Sequence, residues 1–529
     1  GMVSSIPALK NAENNWVLDA KDKANLYVET FSKKCYLNAA EDNDYSELQR
    51  NHDQTQTRIN QLEEKDAEKV MATLHEDSGT GPDSLPARIL KNCSGALAEP
   101  VLLLTLCILQ TGVGPDVWLQ HWVAPLYKKK SVYQPGNYRG IHLTAQLSKV
   151  VERLLKLLYY PFLSATNAFG PRQFAYTTGR GARDALAVLL LTWVCELADG
   201  KKIAVYCSDV SGAFDRVRTS RLVAKLKQKR LHAQIVAVLT SWLQRRWAQI
   251  VVAGTLSDKM TLSDMVYQGT VTGPILWNLF FEDARHAIND CFFTEVVYAD
   301  DLNAYRVFPK TAKNCDMMRS LDNCQQELHK WGVANQVCFD AAKESQHVIS
   351  ISEPSGNNFR LLGVPFDPEL SMVDAVSEIV SAAGWKLKTL LRTRRFYVDA
   401  DLVVFYKSHL LGYLEYRTPA VYHSTRSVLC RLDAVQTRFL KDIGIDEQTA
   451  LLRFHLAPLS ARRDMALLGL IHRTVLGKGP EQFRVFFKLE DQSMALQDPR
   501  KTTKSPLIKR SMFGLIAIYN MLPARIRSA

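Results

Sequence analysis

The stretch VVYADDLNAYRV, residues 296–307, constrains the fold more than any other part of the chain. Residues alternate on both sides of Asp300-Asp301: Val297 and Ala299 against Val296 and Tyr298, then Leu302 and Ala304 against Asn303 and Tyr305. A period of two is the pattern of a strand, so the segment predicts two short strands joined at the aspartates. Asp is an ordinary turn residue, and alone the pair predicts only a solvated hairpin. A second segment changes that reading. IAVYCSDVSGAFDRV, residues 203–217, is an apolar strand ending on Asp209, followed by a small-residue turn and then Phe214 and Asp215. A strand-end carboxylate can face carboxylates on a neighbouring hairpin. Asp209, Asp300 and Asp301 would then hold two divalent cations, and Mg²⁺ suits them because it takes few carboxylates and keeps positions open for phosphate oxygens. Two such ions clamp the attacking and leaving oxygens of an in-line phosphoryl transfer.

The rest of the chain bounds this reading. Its 529 residues predict two to four packed units, and 47% hydrophobic with 23% charged residues excludes extended disorder. The longest apolar runs, VLLLTLCILQTGV from Val101 and ALAVLLLTWV from Ala185, are shorter than a bilayer-crossing helix and predict buried core helices, hence no membrane partner. No secretory pattern follows Gly1-Met2, so an intracellular protein is expected. Ten cysteines without a C-x-x-C pair or a Cys/His cluster at zinc spacing predict reduced thiols and no structural zinc. Of 66 Lys+Arg and 54 Asp+Glu, residues 1–375 hold 41 of each, so all of the net +12 lies beyond. A basic module joined to a neutral one suggests a polyanion held by the first and chemistry done in the second.

Along the chain the pattern is α+β. Residues 1–70 read as mostly helical, and NHDQTQTRINQLEEKDAEKVMATL predicts an exposed helix with Ile59, Leu62, Val70 and Leu74 on a charged background. Strands are expected at HWVAPLYKKK, IAVYCSDVS, WAQIVVAG and the aspartate hairpin, with helices at GPILWNLFFEDARHAI and MMRSLDNCQQELHKWGVA. From 376 to about 445 the chain reads as helical. Ile379, Ala383, Leu387 and Leu390 form one stripe amid Lys386, Lys388, Arg392, Arg394 and Arg395, and Leu432, Val435 and Phe439 form another beside Arg431 and Arg438.

Asp209-x-x-x-x-Phe214-Asp215 and Tyr298-Ala299-Asp300-Asp301 resemble the first and third palm motifs of reverse transcriptases, and YQGTVTGPILWN (267–278) resembles the second. The three occur in the family's order and spacing. GTGPDSLPARIL, PGNYRGIHLTAQLSKVVERLL, FAYTTGRGARDAL, WGVANQVCFDAAKES, FRLLGVPFD, LLGYLEYRTPAVYHS and YNMLPARIR extend the likeness over nearly the whole chain, to the jockey-type branch of non-LTR, LINE-like retrotransposons. The resemblance implies a right-hand polymerase, with an N-terminal helical extension (1–70), fingers and an antiparallel-sheet palm (71–375), a basic helical thumb (376–445) and a C-terminal helical nucleic-acid-binding region (446–529).

It also implies roles. Asp209, Asp300 and Asp301, with Val210, would be the ligands of two Mg²⁺ ions, with Mn²⁺ as a substitute. Lys343 would be a general acid for the leaving pyrophosphate. Lys128, Lys129 and Arg139 would contact the dNTP phosphates. Phe214 would gate against a ribose 2′-OH, which disfavours RNA synthesis. Gln268, Gly269 and Pro274 would line the nucleotide pocket, and Leu362 and Gly363 would grip the primer. Lys386, Lys388, Arg392, Arg394, Arg395, Arg431 and Arg438 would follow the backbone of an RNA/DNA hybrid. The expected partners are an RNA template, a DNA primer and dNTPs, with an endonuclease supplied from outside this chain. The expected location is the nucleus during target-primed synthesis and the cytoplasm as a ribonucleoprotein. Three residues depart from the commonest family pattern: Gly273 where Ser precedes the Pro, Gly140 where Pro follows Arg139, and Tyr267 where Pro precedes Gln-Gly. The competing class is a retired palm serving as an RNA-binding scaffold. A scaffold, however, has no physical reason to keep buried acids together.

Overall fold

The computed structural model describes residues 6–35, 37, 61–490, 495–498 and 505–528. The chain forms two compact units, each assembled from segments far apart in sequence. One comprises Arg172–Asp209, His286–Leu328 and Asp340–Ala529; the other comprises Gly1–Pro171, Val210–Arg285 and His329–Phe339.

The first unit is built on a four-stranded antiparallel sheet of β1 (Lys202–Asp209), β2 (Thr294–Tyr298), β3 (Asp301–Phe308) and β4 (Ser345–Ile349), in spatial order β4-β1-β3-β2. β1 is central and buried along all but its last residue, which is why it reads as an unbroken apolar run. β2 and β3 are the predicted hairpin. Helix Ala182–Ala198 is buried nearly all round, as ALAVLLLTWV predicts, and its Trp193 meets Tyr305 of β3 and Phe366 edge-on, with centroids 6.3 and 6.0 Å away. A small hairpin, Phe359–Leu361 with Val364–Phe366, turns at Leu362-Gly363, both at positive φ (50° and 75°) as a type I′ turn requires. Helices Val373–Arg392 and Arg426–Ile443 bury the predicted stripes, with Leu390 only partly covered. Helix Leu459–Val475 joins them, and its Arg473 pairs with Asp184 of helix Ala182–Ala198. A single apolar core runs from Phe174 through the sheet and these helices to Tyr519.

The second unit holds a five-stranded sheet in the order Tyr138–Leu143, Gln120–Tyr127, Arg246–Val252, Thr255–Leu256, with Met260–Leu262 also paired to Arg246–Val252. Helix Ala20–Cys35 lays Ala24, Tyr27 and Phe31 on it, Tyr27 meeting Tyr138 at 5.3 Å. Helices Glu64–Ala72, Ser94–Thr111 and Gln146–Ala165 enclose a separate apolar core.

Three expectations are corrected. Of the helix expected across residues 51–74, residues 51–60, Ile59 among them, lie outside the described residues; the described part is helix Glu64–Ala72, and it is not simply exposed, because Ala67 and Met71 are buried. The run from Val101 is not a wholly buried core helix. Helix Ser94–Thr111 packs on one side only, burying Ala98, Val101, Thr105 and Ile108 and exposing Leu103, Leu106 and Cys107. Its 18 residues also make it long and apolar enough, by length and composition, to cross a membrane. Finally, GPILWNLFFEDARHAI is two helices, Gly273–Phe281 and Ala284–Asp290.

Candidate active site

β1 and β3 are direct neighbours, and their register sets Asp209 opposite Asp301. Opposed residues of antiparallel strands carry their Cβ atoms about 5 Å apart on one face, so the two carboxyl groups share a side of the sheet. Asp300 precedes Asp301 in the two-residue loop Ala299-Asp300 that joins β2 to β3. The Asp301 carboxyl is pushed up to about 6, first by burial and also by the charge of Asp300, against hydrogen bonds from Asn303 Nδ2 (2.9 Å) and the Leu362 N–H. Leu362 and Gly363 thus form a turn whose first N–H reaches Asp301, while the Leu362 carbonyl accepts the Tyr416 hydroxyl at 2.8 Å. Tyr416 lies in a segment whose likeness to the family carried no role for it.

Lys343 lies in a turn fastened to the end of β1. Asp340 N–H donates to the Asp209 carbonyl at 2.9 Å, and Lys343 N–H donates to the Asp340 carbonyl at 2.8 Å. Its ammonium pairs with the Asp209 carboxylate and stands 3.4 Å from Asp340 Oδ2. The donor chemistry fits a hard divalent cation: paired carboxylates, one held high by burial and a like charge that a cation would relieve. Among the described residues, no three His, Cys, Asp or Glu side chains converge into a finished ligand set, and Asp209 carries the Lys343 ammonium.

The aspartate turn is strained. Ala299 has φ +60°, a left-handed conformation that costs a residue bearing a Cβ about 1–2 kcal/mol, and this position of a hairpin usually holds glycine. The buried amide of Gln173 hydrogen-bonds to it, a contact that sequence reasoning missed.

The residues expected to contact the nucleotide lie in the second unit. Phe214, in the short turn Ala213–Asp215, is buried and stacked on Trp277 at 5.9 Å and 20°. The next residue, Asp215, is a partly buried acid whose carboxyl is raised by desolvation and opposed, in order, by the charges of Lys34, Arg139 and Lys128. The charges of Lys128 and Arg139 therefore act on one carboxylate together with that of a third cation, Lys34 of helix Ala20–Cys35, whose role had no sequence signal. Lys129 is exposed. Val210 makes an antiparallel bridge with Phe339.

Gln268 and Gly269 belong to a loop with exact steric demands that leads into the helix carrying Pro274. The Gln268 carbonyl accepts His142 N–H at 2.7 Å, and Gly269 has φ +103° with the His142 carbonyl 2.7 Å from where a Cβ would stand, so only glycine fits. Glu152 accepts the Val271 and Thr272 N–H groups at 2.9 and 3.0 Å just before helix Gly273–Phe281. Pro274 sits in that helix's first turn, where its missing N–H is not needed. Burial raises the Glu152 carboxyl, against hydrogen bonds from Thr272 and Val271 and the Arg246 charge.

The same geometry accounts for the three departures from the family pattern. A Cβ on Gly273 would stand 2.6 Å from the Tyr267 carbonyl, so Ser does not fit there without a shift. Tyr267 is fully buried among His121, His142 and Trp242, and its hydroxyl donates to the Leu243 carbonyl at 3.1 Å. A Cβ on Gly140 would meet Val123 at 2.8 Å and the Phe31 ring at 3.2 Å.

In the first unit, Lys386, Lys388, Arg392, Arg394 and Arg395 are exposed along helix Val373–Arg392 and just beyond it. Arg431 is exposed and donates to Ser377 Oγ at 2.7 Å, and Arg438 stands 3.6 Å from Asp442.

Residues 127–366 match the family model described as Reverse transcriptase (RNA-dependent DNA polymerase). The chain is 22% identical over 461 residues to the RNA-directed DNA polymerase from mobile element jockey of Drosophila melanogaster, covering 83% of this chain and 50% of that protein. It is 24% identical over 366 residues to the probable RNA-directed DNA polymerase from transposon X-element of the same species, covering 64% and 39%. It is 25% identical over 267 residues to the Pol polyprotein from type-1 retrotransposable element R1 of Bradysia coprophila, covering 49% and 25%. The chain spans half or less of the length of these relatives.

Proposed function

Because the chain carries a reverse transcriptase domain and is homologous to the RNA-directed DNA polymerases of jockey and other non-LTR retrotransposons, we propose that it extends a primer 3′-OH with deoxynucleotides on an RNA template. The observation that carries this reading is Asp209 in register with Asp301 and next to Asp300, with the Asp301 carboxyl held near 6. In it the β1–β4 sheet is the palm, and helices Val373–Arg392 and Arg426–Ile443 are the thumb.

Asp209, Asp300 and Asp301 would hold the divalent ions, which when bound acidify the primer hydroxyl and neutralise the leaving pyrophosphate. Lys343, paired with Asp209, would give a proton to the leaving oxyanion as general acid. Arg139 and Lys128 bind and orient the triphosphate as charge-assisted donors. Phe214 excludes a 2′-OH with a ring that stacking on Trp277 keeps from moving aside. The basic face of the thumb helix follows the hybrid backbone. We place this activity in target-primed copying of retroelement RNA in the nucleus, with the nick made by an endonuclease.

The test is extension of a DNA primer on RNA with Mg²⁺ or Mn²⁺ and dNTPs or NTPs, comparing the native chain with Asp300→Asn/Asp301→Asn. Deoxynucleotide extension lost in the double variant supports the reading. No extension by either protein, with tight hybrid binding by both, replaces it with the RNA-binding scaffold.

A further inference from the structure

FAYTTGRGARDAL and the Gln173 before it have no role in the mechanism above, yet they contact the aspartate turn. The segment Arg172–Phe174 runs parallel to β2: Phe174 N–H donates to the Val297 carbonyl at 2.9 Å, and Val297 N–H donates to the Arg172 carbonyl at 3.0 Å. This pairing sets Gln173 beside the end of β2, with its side chain buried. Gln173 Oε1 accepts Ala299 N–H at 3.0 Å, and Nε2 approaches the Ala299 carbonyl at 3.5 Å. Both polar groups of one residue are thus met by one amide. Oε1 also accepts Ala175 N–H at 2.9 Å, and Arg180 donates to the Gln173 carbonyl at 3.3 Å, so the amide is itself held from its own segment.

Ala299 needs such a holder. Its φ of +60° is disfavoured for any residue with a Cβ, and its backbone leads directly into Asp300 and Asp301. A carboxylate in place of the amide would accept the N–H but could not donate to the carbonyl. Asn has both groups but is one methylene short. We propose that Gln173 is a positioning residue that clamps the turn carrying Asp300 and Asp301 in the geometry polymerisation needs. Its catalytic half rests on the reverse transcriptase reading.

The variant is Gln173→Met, which keeps the side-chain volume and removes both hydrogen-bonding groups. Three measurements apply: hydrogen exchange of the peptide spanning 296–303 without metal, Mn²⁺ binding followed by electron paramagnetic resonance, and primer extension. The expected result is native-like unfolding temperature and hybrid affinity, at least about 10-fold faster exchange confined to that peptide, weaker Mn²⁺ binding, and extension down about 10- to 100-fold in kcat with KM for dNTPs within about two-fold. Ala299→Gly added to Gln173→Met should recover part of the rate, because glycine adopts the turn without strain. Native exchange and native Mn²⁺ affinity in Gln173→Met would overturn the clamp, whatever the chain catalyses. An activity loss that tracks unfolding, with no rescue by Ala299→Gly, would overturn the positioning role. A native chain that extends no primer would overturn the polymerase reading and the catalytic half with it, while exchange still decides the clamp.

Discussion

The loop 268–272 and the turn Ala299-Asp300 both carry residues assigned to chemistry on backbone at positive φ, and they manage that strain differently. In the loop the conformation belongs to Gly269, and a carbonyl 2.7 Å from its missing Cβ leaves no alternative. The nearby support is a buried carboxylate, Glu152, accepting two N–H groups. In the turn the strained residue is an alanine, and the support is an amide that meets its N–H and its carbonyl. The loop therefore depends on absent volume and the turn on hydrogen bonds. Glycine is visible in a sequence as a steric demand, whereas a clamp from 126 positions away is not.

Breaking each side of this comparison should have graded effects. The largest belongs to the acids beside the turn: Asp209→Asn should lower primer extension by at least about 10³-fold, about 4 kcal/mol of barrier, with hybrid affinity in a binding assay unchanged. Gly269→Ala comes next. It should destabilise the fold by about 2–3 kcal/mol in denaturant unfolding and raise KM for dNTPs more than it lowers kcat. Glu152→Ala should cost about 2 kcal/mol by stranding two N–H groups, whereas Glu152→Gln, whose oxygen still accepts both, should cost under about 1 kcal/mol. The smallest effect sharpens the acid side. The Asp301 carboxyl has an ordinary value of 3.8 and is held at about 6 in the fold, so the folded chain binds more protons between those values and loses stability as pH rises through them. In chelator, Asp301→Asn should unfold at higher denaturant than the native chain above pH 6, by about 1–2 kcal/mol, and the difference should vanish below about pH 4. Equal midpoints at pH 8 would show that burial places no such load on Asp301.

Periodicity made several elements readable in advance. The alternation around Asp300-Asp301 became β2 and β3, the apolar run ending at Asp209 became the central β1, and the stripes at Ile379 and Leu432 became buried helix faces. It failed where composition was matched by two environments. The runs from Val101 and Ala185 are both strongly apolar, yet the first packs on one face and the second all round, because burial depends on how many neighbours surround a helix. The site divided in the same way. The three acids stood out as charges at strand ends, but Lys34 at Asp215, Tyr416 at the Leu362 turn, Glu152 and Gln173 carried no pattern of their own.

The sequence by itself determined which residues end strands, which faces are apolar, where glycine is obligatory and which motifs stand in the order of a reverse transcriptase, because these follow from local periodicity and residue chemistry. Tertiary structure alone decided that Asp209 faces Asp301, that Lys343 rests on Asp209, that the charges of three cations act on Asp215 and that an amide holds Ala299. Those contacts join side chains from segments that can be more than a hundred residues apart, and their register and burial are set by packing, which no local pattern encodes.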